Sequence, residues 1–122
     1  MEYRQLFADL RKRPDSYGLN GSFREAVAFI GGCDAGNSWG LLIGFREWLA
    51  LKADAEANLT WSALVLRMAV GSTGLRTELS AADELRALDV LFEELDLFLA
   101  ARNGPHRAPL IIAKYLKERG CL

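Results

Sequence analysis

The stretch Trp39-Gly-Leu-Leu-Ile-Gly-Phe-Arg-Glu-Trp-Leu-Ala-Leu51 constrains this chain more than any other. It carries two of the three tryptophans, and its only charges are the adjacent Arg46 and Glu47. At helical spacing Leu41, Phe45, Trp48 and Leu49 fall on one stripe, which Leu42 and Ile43 widen. A helix that is apolar around most of its circumference must be covered on several sides, so residues 39–51 are expected as a central core helix. Glycines 32, 36, 40 and 44 recur every fourth residue on the way into it. Glycine inside a helix costs about 0.5–1 kcal/mol relative to alanine. The row therefore predicts a second backbone passing close by, and Gly40 and Gly44 read as close helix packing rather than a membrane dimer motif.

Capping signals and 3.6-residue stripes divide the rest of the chain. Residues 3–13 form a first helix, with Tyr3, Leu6, Phe7 and Leu10 on one face. Arg11, Lys12 and Arg13 suit its C-terminal dipole, and Pro14 stops it. Asp15 to Gly21 is turn chemistry. Ser22 with Glu25 has the spacing of a capping box for a helix carrying Phe23, Ala26, Val27 and Ile30. Gly31-Gly32 either ends that helix or admits a neighbour. Asn37 or Ser38 is the expected cap of the central helix, and Asn58 or Thr60 of the next. That next helix carries Trp61, Leu64, Val65 and Met68, and Gly71 suits its end. Ser80 and Asp83 open the longest helix, whose core stripe is expected from Leu85, Leu88, Leu91, Phe92, Leu95, Phe98 and Leu99 and which Asn103-Gly-Pro105 ends. Pro109 fits the first turn of a last helix, with Gly120 as its stop. No two β-branched runs are joined by a hairpin turn. The expected fold is all-α: one compact bundle of about six helices, a single domain over residues 1–122, packed around 39–51.

A chain of 122 residues that is 51% hydrophobic and 25% charged is sized and composed for one globular core. Its net charge of −1 gives no basic footprint for nucleic acid. Cys33 and Cys121 stand in no metal or redox spacing and read as free thiols. Residues 1–13 lack the apolar centre of a signal peptide, and no run reaches the ~20 apolar residues of a membrane span. The expected address is cytoplasmic, with no membrane partner.

Candidate chemistry is sparse. His106 is the only histidine and has no nucleophile or carboxylate beside it in sequence, so a loop or cap role is the commoner outcome. Arg24, Arg46 and Arg67 interrupt apolar helices, and Glu47 follows Arg46 directly. Such charges normally stand at a core edge and pair with carboxylates. Their functional reading is an enzyme or ligand pocket formed by Arg24, Arg46, Arg67 and Glu47, with Asn37 and Ser38 at a helix N-terminus. No phosphate-binding glycine loop accompanies them. No metal site and no cofactor are expected. Tyr17, Trp39 and Trp61 are core aromatics or exposed recognition residues.

Charge segregation is the most informative functional feature. Glu78, Asp83, Glu84, Asp89, Glu93, Glu94 and Asp96 crowd the span 78–96, and no cation follows Arg86 in it. Asp89, Glu93 and Asp96 lie at i, i+4 and i+7, on one side. The first helix and the segment from Arg102 to Arg119 are net basic. The commoner outcome is a solvated face balanced by basic neighbours; the sharper one is an acidic surface that docks on a basic cleft.

Tyr17-Gly-Leu-Asn-Gly-Ser-Phe-Arg-Glu25, Gly40-Leu-Leu-Ile-Gly-Phe-Arg-Glu-Trp-Leu49 and Asn58-Leu-Thr-Trp61 resemble a group of small bacterial helical proteins, over about residues 17–70. Some proteins of that general kind are immunity partners of interbacterial toxins. The resemblance implies a helical fold and no catalytic residues. The expectation is a non-enzymatic antitoxin that binds a cognate toxin through Asp89, Glu93 and Asp96. Oligomeric state is left open.

Overall fold

The computed structural model describes residues 2–54, 59–71, 79–102 and 107–118. Among these residues the fold is all-α, with six helices: α1 (Tyr3–Lys12), α2 (Phe23–Gly36), α3 (Phe45–Ala53), α4 (Trp61–Val70), α5 (Ala81–Ala101) and α6 (Arg107–Glu118). Local chemistry explains most of the boundaries. The side chains of Glu2, Ser22, Thr60 and Ser80 accept backbone N–H groups of the first turns of α1, α2, α4 and α5. Pro14 opens a short 3-10 helix (Pro14–Tyr17) directly after α1, and Gly71 at φ 73° ends α4.

The expected capping box at the start of α2 is half formed. Ser22 Oγ accepts the Glu25 N–H at 3.2 Å. Glu25 Oε1 reaches past Ser22 to the Asn20 N–H at 2.6 Å, while Asn20 Oδ1 takes the Ser22 N–H at 2.9 Å. The same donors are satisfied by a different division of labour.

The central apolar segment departs most from expectation. Its helix begins at Phe45, not Trp39, and residues 37–44 are a run of turns. Asn37 and Ser38 do not cap it. Asn37 closes α2, its side-chain amide donating to the Cys33 carbonyl at 2.7 Å and to Tyr3 Oη at 2.7 Å. Ser38 and Trp39 then turn the chain at φ 56° and 61°, and Gly44, at φ 93°, precedes α3 with no side-chain cap. The glycine row also has another cause. A Cβ on Gly31, Gly32 or Gly36 would meet nothing within 4 Å, and one on Gly40 would meet only its own turn at Asn37. At Gly32, Gly36 and Gly40 no backbone from another element comes within reach of a Cβ. Nor does Gly31-Gly32 end α2, which continues to Gly36.

Buried residues from all six helices form one core. Phe45 sits at its middle, with ring centroids 5.1 Å from Phe98 and 5.8 Å from Trp61. Phe45, Leu49, Leu64, Leu91 and Phe98 are fully buried. α3 packs against α4, α5 and α6, and the longer α5 against α1, α2, α3 and α4, so two helices share the centre. Trp48 is half-buried, lies edge-on to Phe98 at 6.0 Å and donates its Nε1–H to Glu94 at 3.0 Å.

Candidate functional site

Helix α5 turns its apolar stripe to the core and leaves a charged outer side, along which α1 lies antiparallel. The direction follows from the ion pairs: Arg4 meets Asp96, and Arg11, two turns on, meets Asp89, two turns back. Arg4 grips Asp96 with two bonds, Nε to Oδ1 at 2.8 Å and Nη2 to Oδ2 at 3.2 Å. These bonds hold the Asp96 carboxyl below its ordinary range against a smaller opposing effect of burial. Arg11 donates to Asp89 at 2.6 Å and covers the Phe92 ring at 5.9 Å. Two of the three predicted interface carboxylates therefore fasten α1 to α5. Glu93, the third, is exposed and has no ion-pair partner among the described residues.

Among the other acids of this segment, Glu94 and Glu84 tie α5 to α3 and α2, while Asp83 bonds within α5. Glu94 accepts from Trp48 and from Lys52 Nζ at 2.8 Å, Glu84 accepts the Phe23 N–H at 2.8 Å, and Asp83 pairs with Arg86. The sequence crowds these carboxylates into one run, and the helix sends them in different directions.

Sequence reasoning missed what lies beside Glu93. Leu85, Asp89, Glu93 and Leu97 follow at four-residue intervals and so line one row of α5. The two leucines are 64% and 50% exposed. Spacing alone puts Leu85 in the core stripe of this helix, but the structure turns it to solvent near the start of α5, and Leu97 falls outside that stripe. Beside the row, α1 and α5 enclose a groove of about 630 Å³, floored by Phe7, Phe92 and Leu99 and rimmed by Arg4, Arg11 and Glu93.

The second predicted constellation does not come together. Arg46 and Glu47 line a groove of about 600 Å³ with Trp39, Ile43 and Trp61. Arg67 lines a different groove with Lys52 and Met68, and Arg24 is exposed on α2, lining neither. Tyr17 is half-buried and donates its hydroxyl to Asp9 at 2.6 Å, so it belongs to the α1 junction. That bond, with help from Arg13, lowers the Asp9 carboxyl from its usual range. Trp39 is the exposed aromatic, at 67%. His106 and Cys121 lie outside the described residues. Cys33 is half-buried, and burial pushes its thiol up.

The turn holding Trp39 is heavily bonded. The Trp39 N–H donates to the Asp34 carbonyl at 2.8 Å, and the Leu42 N–H to Asp34 Oδ1 at 3.0 Å. Arg102 Nη1 donates to the Gly40 carbonyl at 3.0 Å and also to that of Leu41. Left-handed backbone at a non-glycine residue costs of order 1–2 kcal/mol and persists only where surrounding bonds enforce it.

No family model, curated protein or solved structure matches this chain. Among the described residues no three His, Cys, Asp or Glu side chains are grouped to hold a metal ion. No described helix is long and apolar enough to cross a membrane.

Proposed function

We propose that this protein is a non-enzymatic binding module that docks on another protein through the outer row of α5. In its most specific form, the partner is a bacterial toxin domain that it neutralises in the cytoplasm as an immunity protein. The observation that carries this reading is the row Leu85–Asp89–Glu93–Leu97, exposed leucines bracketing carboxylates on one rigid helix. Interfaces combine buried apolar anchors with charges that orient the encounter, and this row offers both on one line.

The charge pattern refines the acidic-face expectation. Asp89 and Asp96 are already neutralised by α1, so the free negative charge of the face is concentrated at Glu93. A partner cleft lined with Lys or Arg, as in toxins that act on nucleic acid or nucleotides, would meet Glu93 first and bury the leucines on either side.

The direct test uses calorimetry between this protein and a toxin domain encoded beside its gene, with the toxin's activity assayed in the same mixtures. A saturable complex in which activity is lost is expected. Binding without inhibition would remove the immunity role, and no binding would remove this partner.

A further inference from the structure

We infer that the groove between the 37–44 turn and the first turn of α4 is a docking site for an arginine side chain of a partner protein. This site is separate from the α5 row and does not depend on it. The Glu47 carboxylate lines this groove with no hydrogen-bond or ion-pair partner among the described residues, and one of its oxygens, Oε2, is buried. A carboxylate partly withdrawn from water without a partner is costly, and a cation docked on its accessible side offsets that cost. Arg46 is not that cation. The two are neighbours on α3, where side chains one residue apart point in different directions, and Arg46 is exposed with no ion pair among the described residues.

The aromatic groups of the groove favour the same ligand. Trp39 is held out on a left-handed turn and is two-thirds exposed, while Trp61 is half-buried against Phe45. Four backbone groups of the turn, the N–H groups of Trp39 and Leu42 and the carbonyls of Gly40 and Leu41, are bonded to Asp34 and Arg102. An indole kept in water by a strained, bonded turn is arranged to cover a ligand. Asp34 and Glu47 outweigh Arg46 in the lining, so the groove is complementary to a cation. A guanidinium has a flat face for an indole and forked donors for a carboxylate, whereas a lysine ammonium offers only a point charge.

The experiment follows the indole N–H resonances of Trp39 and Trp61 by NMR in the full chain. Three probes are titrated: end-blocked Gly-Arg-Gly, its norleucine counterpart and free guanidinium. The arginine peptide should give saturable shifts at both indoles, the norleucine peptide none, and guanidinium weaker binding than the peptide. Glu47→Gln should weaken peptide binding about tenfold, the loss of one charge-assisted bond. Trp39→Ala, at an exposed position that leaves the core intact, should weaken it about threefold. Absence of saturation in the wild type would overturn the proposal, as would equal binding of the norleucine peptide or an unchanged affinity in Glu47→Gln. Guanidinium binding as tightly as the peptide would make this a small-cation site and overturn docking.

Discussion

Phe45 and Trp48 lie three residues apart on α3, and sequence spacing gives them equal standing in the core. Their surroundings differ. Phe45 is fully enclosed between Phe98 and Trp61, whereas Trp48 keeps one edge in solvent and gives its indole N–H to Glu94. Truncating a buried aromatic removes its transfer free energy and leaves a cavity, at about 3–5 kcal/mol. Phe45→Ala should therefore cost more stability than Trp48→Ala in denaturant melts, reversing the order suggested by size alone. Asp96 supplies a pH-dependent counterpart. Its folded-state pKa is depressed by the Arg4 hydrogen bonds, so its contribution is fully present above the unfolded aspartate value of about 3.9. That contribution is lost as pH falls through the depressed folded value. The pair is half-exposed, so the effect is small and screened by salt. In Arg4→Met, a carboxyl titration of Asp96 by NMR should move back up toward the ordinary range, and the acid limb of the stability profile should flatten.

At the scale of elements, helix interiors were legible in the sequence and the connection before α3 was not. Ser22 and Ser80 cap where their spacing from the first apolar residues puts them, and Thr60 takes the cap that spacing leaves open between it and Asn58, because an N-cap needs only local geometry. The 37–44 segment is as apolar as a core helix, and periodicity cannot separate an apolar turn from an apolar helix. What decides it is positive φ at Ser38, Trp39 and Gly44, enforced by Asp34 and by Arg102 from the far end of α5, a long-range contact that local sequence does not carry. The glycines now make opposite predictions. Gly32 lies inside α2 with open space where a Cβ would go, so Gly32→Ala should stabilise by about 0.5–1 kcal/mol. Gly44 sits at φ 93°, and Gly44→Ala should destabilise by about 1 kcal/mol or more. Thermal melts of the two variants, read by helical circular dichroism, check both signs.

For the molecule as a whole, charge segregation along the chain becomes charge pairing in space. The acidic α5 and the basic α1 are adjacent antiparallel helices, and their ion pairs neutralise Asp89 and Asp96. The sequence places Asp89, Glu93 and Asp96 along one side of a helix, but it does not show that Arg4 and Arg11 of α1 pair with two of them. What α1 leaves uncovered is Glu93 between Leu85 and Leu97, and the proposed binding function rests on that remainder. Reversing Asp89 or Asp96 would also break the α1–α5 junction, so Glu93→Lys is the informative change. Its association kinetics with a protein partner that binds the wild type should be compared with wild type at low and at physiological salt. The account predicts an unchanged fold and melting midpoint, a slower association at low salt, and a weaker dependence of that rate on ionic strength. A wild-type complex whose association rate and salt dependence are the same in Glu93→Lys would contradict it.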